Sequence, residues 1–439
     1  MGSSRESMKR SMHTFLFCLP KRSLFLIIAV IGLGTSFAGP SFAQRDSFET
    51  AQAAFAAKDR KQFPLAIRLF DEALQQGHFE NKQRGFILYG RGASYEALGS
   101  RDRALADFDA AVALIPDYPN VYLYRGIILG DKGEYERALQ DFQTAGRLNP
   151  NEPLAFNNLG NVHERMGDVD RAIENYSRAI DLRAGYAQAY YNRAHAYFLI
   201  QDNERALADY SQSILLQPRF GDAYVNRAVL YLMRRDFTSS LADLDTAISL
   251  NPRDVTALAN RATVYLALEK YESAVSDFDR ALEVSPGNAA LYLGRGQANL
   301  FAGAVDISIS DFGTAMRVHP SGYPAIWLHI ARVHKGEDDG EEFAVNIKNI
   351  RRDVWPSPLL DLYLGAANRE SVLAAAQSGR ITEKIRRSCE ARFFIGEFEL
   401  HKGEIQRARE TLWDVVSTCG PQEGVYGAAV AERKLLPKP

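Results

Sequence analysis

The 439-residue chain has little with which to do chemistry. It holds three cysteines and three tryptophans, and none of its eight histidines stands in a metal-ligand pattern. His329 and His334 are five apart, so they do not share a helix face as a His-x-x-x-His pair would. No Gly-x-Ser-x-Gly elbow occurs, and Cys389 lies in no nucleophile motif. Gly90-Arg91-Gly92 and Gly294-Arg295-Gly296 look briefly like phosphate-binding glycines, but no strand precedes either. The acidic run Glu337-Asp338-Asp339 lacks the alternating oxygen ligands of a cation loop and is expected to be solvated. The expectation is therefore a protein that is not an enzyme, with no catalytic residue, no metal set and no cofactor.

Long apolar runs are missing too. Leu24 to Leu33 is too short to span a bilayer, and Lys21 and Arg22 precede it. Gly39-Pro40 then breaks the helix before Ser41-Phe42-Ala43, which places small residues at −3 and −1 of a cleavage site. Residues 1–43 thus read as a secretory signal peptide, cut before Gln44, and the chain as exported and periplasmic; the alternative is a membrane anchor left uncleaved. Cys18 precedes the apolar run instead of following it, which argues against a lipid anchor. Arg5, Lys9, Arg10, Lys21 and Arg22 concentrate positive charge in this segment, and since the whole chain is −2 the remainder is mildly acidic. That argues against a nucleic-acid partner, which needs a concentrated basic face. Once the signal is gone, only Cys389 and Cys419 remain.

What the chain has in abundance is a repeat. Prolines fall at 116, 150, 218, 252, 286 and 320, and Ala184 fills the one missing place in a 34-residue period. With each proline at position 32, seven units start at 85, 119, 153, 187, 221, 255 and 289. Such a period marks a stacked supersecondary unit, which buries its apolar face only on its neighbours and so escapes the size limit of a single core. Position 8 is always Gly or Ala, from Gly92 and Gly126 to Ala262 and Gly296, where a second helix can approach closely. Position 24 is a large apolar plug: Phe108, Phe142, Tyr176, Tyr210, Leu244, Phe278 and Phe312. Position 20 is Ala or Ser, and position 15 is Gly in four units, as expected just past a helix C-terminus.

One further pair of columns varies together. Position 7 is Arg in six units (Arg91, Arg125, Arg193, Arg227, Arg261, Arg295), and position 23 is Asp in the same six (Asp107, Asp141, Asp209, Asp243, Asp277, Asp311). In the seventh, Leu159 and Asn175 replace both. A basic stripe facing a ligand and an internal Arg–Asp ladder are both open, and the joint loss favours the ladder.

These columns resemble the tetratricopeptide-repeat family, whose pattern has Trp or Tyr at 4, Gly at 8, Tyr at 11, Ala at 20, Phe at 24, Ala at 27 and Pro at 32. The resemblance implies an all-α chain of helix-turn-helix units, an α-α superhelix of about eight to ten repeats. A degenerate repeat and linker cover 44–84, seven tandem repeats 85–322, an off-register helical segment 323–388, and a repeat-like unit with a capping helix 389–439. The terminal part resembles bacterial cell-envelope tetratricopeptide-repeat proteins, including a lipoprotein that scaffolds peptidoglycan hydrolases, though the lipid-attachment cysteine is absent. In the terminal unit Cys389 and Cys419 take positions 1 and 31, across the open end of a helix pair, and a disulfide is expected, with two free thiols as the alternative.

The resemblance also implies a binding face. In the family, positions 2, 5, 9 and 12 of each first helix line a concave groove. Here they carry Asn157, Asn161, Glu164, Gln188, Tyr191, His195 and Phe198, then Asp222, Val225, Val229, Leu232, Thr263 and Leu266. A groove that shifts from polar to apolar suits an extended peptide or a helix with a few apolar anchors; the alternative is that several of these side chains pack between repeats. The expected function is an exported scaffold or adaptor for other proteins or peptides. Its rivals are an envelope solute- or glycan-binding protein and a hydrolase within the C-terminal helical region.

Overall fold

The computed structural model describes residues 42–436, so all of the expected signal segment except Phe42 and Ala43, and with it Cys18, Lys21, Arg22 and the Leu24 to Leu33 run, lies outside the described residues. Among the described residues every regular element is an α-helix, and none is long and apolar enough to cross a membrane. The chain divides after Leu216 into two compact units.

The first unit consists of five antiparallel helix pairs. They are α1 (Phe42–Asp59) with α2 (Phe63–Gln76), α3 (Asn81–Ala97) with α4 (Arg101–Leu114), α5 (Pro119–Asp131) with α6 (Tyr135–Leu148), α7 (Pro153–Arg165) with α8 (Val169–Leu182), and α9 (Ala187–Leu199) with α10 (Asn203–Leu216). The position-24 ring is what closes each pair. A Cβ built on Gly160 would lie 2.5 Å from the Tyr176 ring, and one on Gly126 2.8 Å from Phe142, so the first helix must be bare where the plug sits. The turn between the two helices uses position 15 in the left-handed conformation, with Gly99, Gly133 and Gly167 at φ of 74, 80 and 85°. Proline at position 32 follows the second helix, where no further helical hydrogen bond is needed.

The second unit continues the same pairing with α11 (Gly221–Met233), α12 (Phe237–Leu250), α13 (Val255–Ala267), α14 (Tyr271–Val284), α15 (Ala289–Phe301) and α16 (Val305–Val318). Asp236, Asp254 and Asn288 cap α12, α13 and α15 through their side chains. Beyond the register lie α17 (Gly322–Lys335), three short helices, α18 (Gly340–Asn346), α19 (Ser357–Tyr363) and α20 (Arg369–Ala376), then α21 (Ile381–His401), α22 (Ile405–Thr418) and α23 (Tyr426–Leu435). Their core gathers around Trp327, whose ring lies 5.7 Å from Phe312, 5.4 Å from Phe393 and 5.6 Å from Phe394. The helix α21 starts eight residues before Cys389, which therefore sits inside the helix and not at its beginning. The thiol position depends on the helix N-terminus, and the 34-residue register does not set that boundary outside the tandem block.

Candidate functional site

The six arginines of position 7 are consumed by structure. Each meets the aspartate sixteen residues later through two parallel hydrogen bonds, for example Arg125 Nε to Asp141 Oδ2 at 2.8 Å and Nη2 to Oδ1 at 2.7 Å. Arg91–Asp107, Arg193–Asp209, Arg227–Asp243, Arg261–Asp277 and Arg295–Asp311 repeat that geometry. The arginine side chains are only 16–23% exposed and the aspartates 4–10%. The third guanidinium nitrogen reaches back to the preceding repeat: Arg91 to Asp71, Arg125 to Asp109, Arg193 to Ser177, Arg261 to Asp245 and Arg295 to Asp279. The fork thus binds within a repeat and between repeats, and little of its charge faces a ligand.

Repeat 153–186 lacks that pair and carries a different network. Asn192 donates through Nδ2 to Asn157 Oδ1 and Asn161 Oδ1, both at 3.0 Å, and accepts from Gln188 Nε2 at 2.9 Å. The Tyr176 hydroxyl donates to Asn161 Oδ1 at 2.8 Å and stands 3.2 Å from Glu164 Oε2, while His195 Nδ1 lies 2.9 Å from Glu164 Oε1. Burial, and then the charge of Glu164, raises the Tyr176 hydroxyl well above its usual pKa. Glu96, at the same column as Glu164, is pushed up to about 7 by burial.

Within the first unit the first helices of successive repeats touch, α5 against α7 and α7 against α9, whereas the second helices do not meet to that extent. The first helices therefore form the tighter, inner row. That contact also corrects the list of groove residues. Asn157, Tyr191 and His195 are buried, as are Val225 and Leu232 in the second unit. Tyr191 packs 5.7 Å from Tyr210. A stripe that faces the next first helix goes into the seam between repeats, so these five side chains hold the row together. Asn161, Gln188, Phe198 and Val229 stay partly exposed. Met166, Leu199 and Ile200 are exposed at the C-terminal ends of α7 and α9.

In the second unit the inner row is covered from within. The helix α23 lies against α13 and α15. Gly427 comes so close to Leu266 that a Cβ there would stand 3.1 Å from the leucine Cβ. Arg235 donates to the Tyr426 hydroxyl at 3.0 Å, to Val416 O at 2.9 Å and to Cys419 O at 3.1 Å, and Lys434 pairs with Glu269 at 2.6 Å. Leu266 is thus occupied by the chain's own C-terminus. Cys389 and Cys419 are both buried and joined by a disulfide, with Cα atoms 5.9 Å apart. In the acidic loop Glu337 and Asp338 are exposed as expected, while Asp339 is buried beside His329 Nδ1 and Arg332.

Residues 128–167 and 165–201 match a family described as TPR repeat, and residues 187–220 and 255–288 match families described as tetratricopeptide repeat. These stretches of the chain are tetratricopeptide repeats. Among solved structures it is similar to a tetratricopeptide-repeat protein from Parabacteroides merdae, at 21% identity over 56% of this chain and 98% of that one, with a TM-score of 0.45. It is also similar to the C-terminal part of a TPR protein from Cytophaga hutchinsonii, at 18% identity over 56% and 98% of the two chains and a TM-score of 0.43. At these scores neither lends anything to the reading of this chain's own site. Repeats of this family are a protein-interaction fold.

The register hid one column. Position 6 of the tetratricopeptide repeats is Asn158, Asn192, Asn226 and Asn260 in four successive units. The column is visible in the register, but amides carry no charge and form no strong motif. Asn158 is fully buried, and neither atom of its amide has a hydrogen-bond partner. Such a group costs about 1–3 kcal/mol, so stability does not explain it.

Proposed function

We propose that this protein is an exported scaffold that binds a segment of a partner protein along the inner row of its first unit. One observation carries the reading: the network around Asn192 fixes Asn161 and Gln188, both partly exposed, on the same two first helices that carry the partly exposed Phe198 and end at the exposed Met166, Leu199 and Ile200. Fixed amides can pair with the backbone of an extended segment, and the apolar side chains can take its anchors. Preorganisation lowers the ordering cost of binding. Support for export comes from the Lys21-Arg22, Leu24 to Leu33 and Ser41-Phe42-Ala43 pattern, together with a bonded pair of cysteines, which suits an oxidising compartment.

A random peptide library panned on the mature chain from Gln44 tests the binding. Enriched peptides should carry apolar residues and lose at least tenfold in affinity when Phe198→Ala is introduced, with the helical signal unchanged. Enrichment indifferent to both Phe198→Ala and Asn161→Ala would overturn the reading. Intact-mass analysis of envelope protein should show Gln44 as first residue without lipid, and a mass retaining the Leu24 to Leu33 segment would point to an anchored protein.

A further inference from the structure

The helix α21 carries three buried glutamates, and the fold treats them differently. Glu390 accepts hydrogen bonds from Tyr323, Trp355 and Arg386. Glu399 accepts from Arg369 and Thr411. Among the described residues Glu397 has no such donors. It faces a second buried carboxylate, Glu432 of α23, and among the described residues His334 of α17 is the basic side chain that pairs with both. The residues are 5% and 3% exposed, yet Oε1 of each glutamate has no hydrogen-bond partner. Two ionised carboxylates enclosed side by side repel, and each lone pair left without a donor adds a desolvation cost. The fold supplies donors to Glu390 and Glu399 and none to these two Oε1 atoms.

We infer that His334, Glu397 and Glu432 form a binding site for one divalent transition-metal ion of the zinc type. The nitrogen His334 Nε2 lies 3.5 Å from Glu432 Oε1 and 3.7 Å from Glu397 Oε2, and the three ligand atoms all fall within 4.8 Å of one another. Donors about 2.1 Å from a common tetrahedral centre are about 3.4 Å apart, so the two His334 distances already suit such a centre. Two carboxylates balance the ion's charge, and an imidazole favours zinc-like ions over magnesium, which prefers an all-oxygen octahedron. The histidine side chain is 29% exposed and offers the way in from solvent. No spacing rule could find the set, because its members come from three helices between residues 322 and 435. The ion would clip α23 to α17 and α21, and so fix the helix that covers Leu266.

The test uses the tag-free mature chain, stripped with chelator and titrated calorimetrically with zinc chloride. One ion per chain should bind, and cobalt in its place should give the visible absorption of a four-coordinate nitrogen–oxygen site. His334→Ala, which alters a partly exposed residue, and Glu432→Gln, which removes the repulsion between carboxylates, should each weaken binding at least tenfold. His319→Ala, elsewhere on the same unit, should leave it unchanged. Zinc should also slow hydrogen exchange in α23. No saturable binding, or binding that both His334→Ala and Glu432→Gln leave intact, would overturn the inference.

Discussion

The first unit holds itself together with contacts that recur every 34 residues, while the second adds to the same set a group of contacts that occur once. In both, the arginine fork ties position 7 to position 23 and the position-24 plug closes the helix pair. Only the second unit also has the disulfide, the Glu390 and Glu399 clusters and the α23 helix laid on α13. The difference shows at position 15. Four repeats use glycine in the left-handed turn, but Arg235 and Glu269 adopt it at φ of 60° despite the strain on a side chain. Those two side chains are the ones that reach the C-terminal segment, at Tyr426, Val416 and Cys419 and at Lys434. A local preference has been given up where a tertiary contact required it.

The largest effect that would test this contrast comes from the disulfide. Cys419→Ser should cost the second unit about 4 kcal/mol, the chain-entropy value for a closed loop of this length. Its sequence separation is 30 residues. Hydrogen exchange should accelerate in α21 and α22 and not in α3 to α8; equal acceleration in both units would dissolve the distinction.

The recurring contacts should instead behave alike wherever they fall. Removing one partner of a largely buried bidentate pair, as in Asp209→Ala of the first unit or Asp243→Ala of the second, should cost about 3 kcal/mol in each. Replacing Arg227 by Leu and Asp243 by Asn together should cost much less than the two single changes summed, since repeat 153–186 already carries that combination as Leu159 and Asn175. Additive losses in this cycle would show that the pair is not coupled.

The smallest effect is a change of sign. Gln201 shares the left-handed turn at φ 65° but makes no side-chain hydrogen bond among the described residues. Gln201→Gly should therefore stabilise the first unit by about 1 kcal/mol. Arg235→Gly relieves the same strain and loses three hydrogen bonds, so chemical denaturation should show it as destabilising. Two shifts of the same sign would mean that the C-terminal contacts of Arg235 contribute nothing.

The fold was legible because each repeat repeats its reasons. Small position 8, bulky position 24 and proline at 32 answer to contacts inside one unit or with the next, and the period displays them seven times. The inner face was only half legible. Asn161, Gln188, Phe198 and Val229 are partly exposed, but Asn157, Tyr191, His195, Val225 and Leu232 are turned into the seams. A helical stripe fixes which side chains share a side, and how closely the next helix approaches decides which of them solvent can reach.

The sequence by itself determined the helices, their pairing and the partners of the six arginines, because these depend on neighbours at a fixed spacing along the chain. Tertiary structure decided which inner-row residues remain open, that α23 covers Leu266, and that His334, Glu397 and Glu432 converge. Those outcomes depend on residues brought together once, over separations of up to about two hundred positions such as Arg235 and Tyr426. A contact made a single time leaves no period behind, and only the packed chain reveals it.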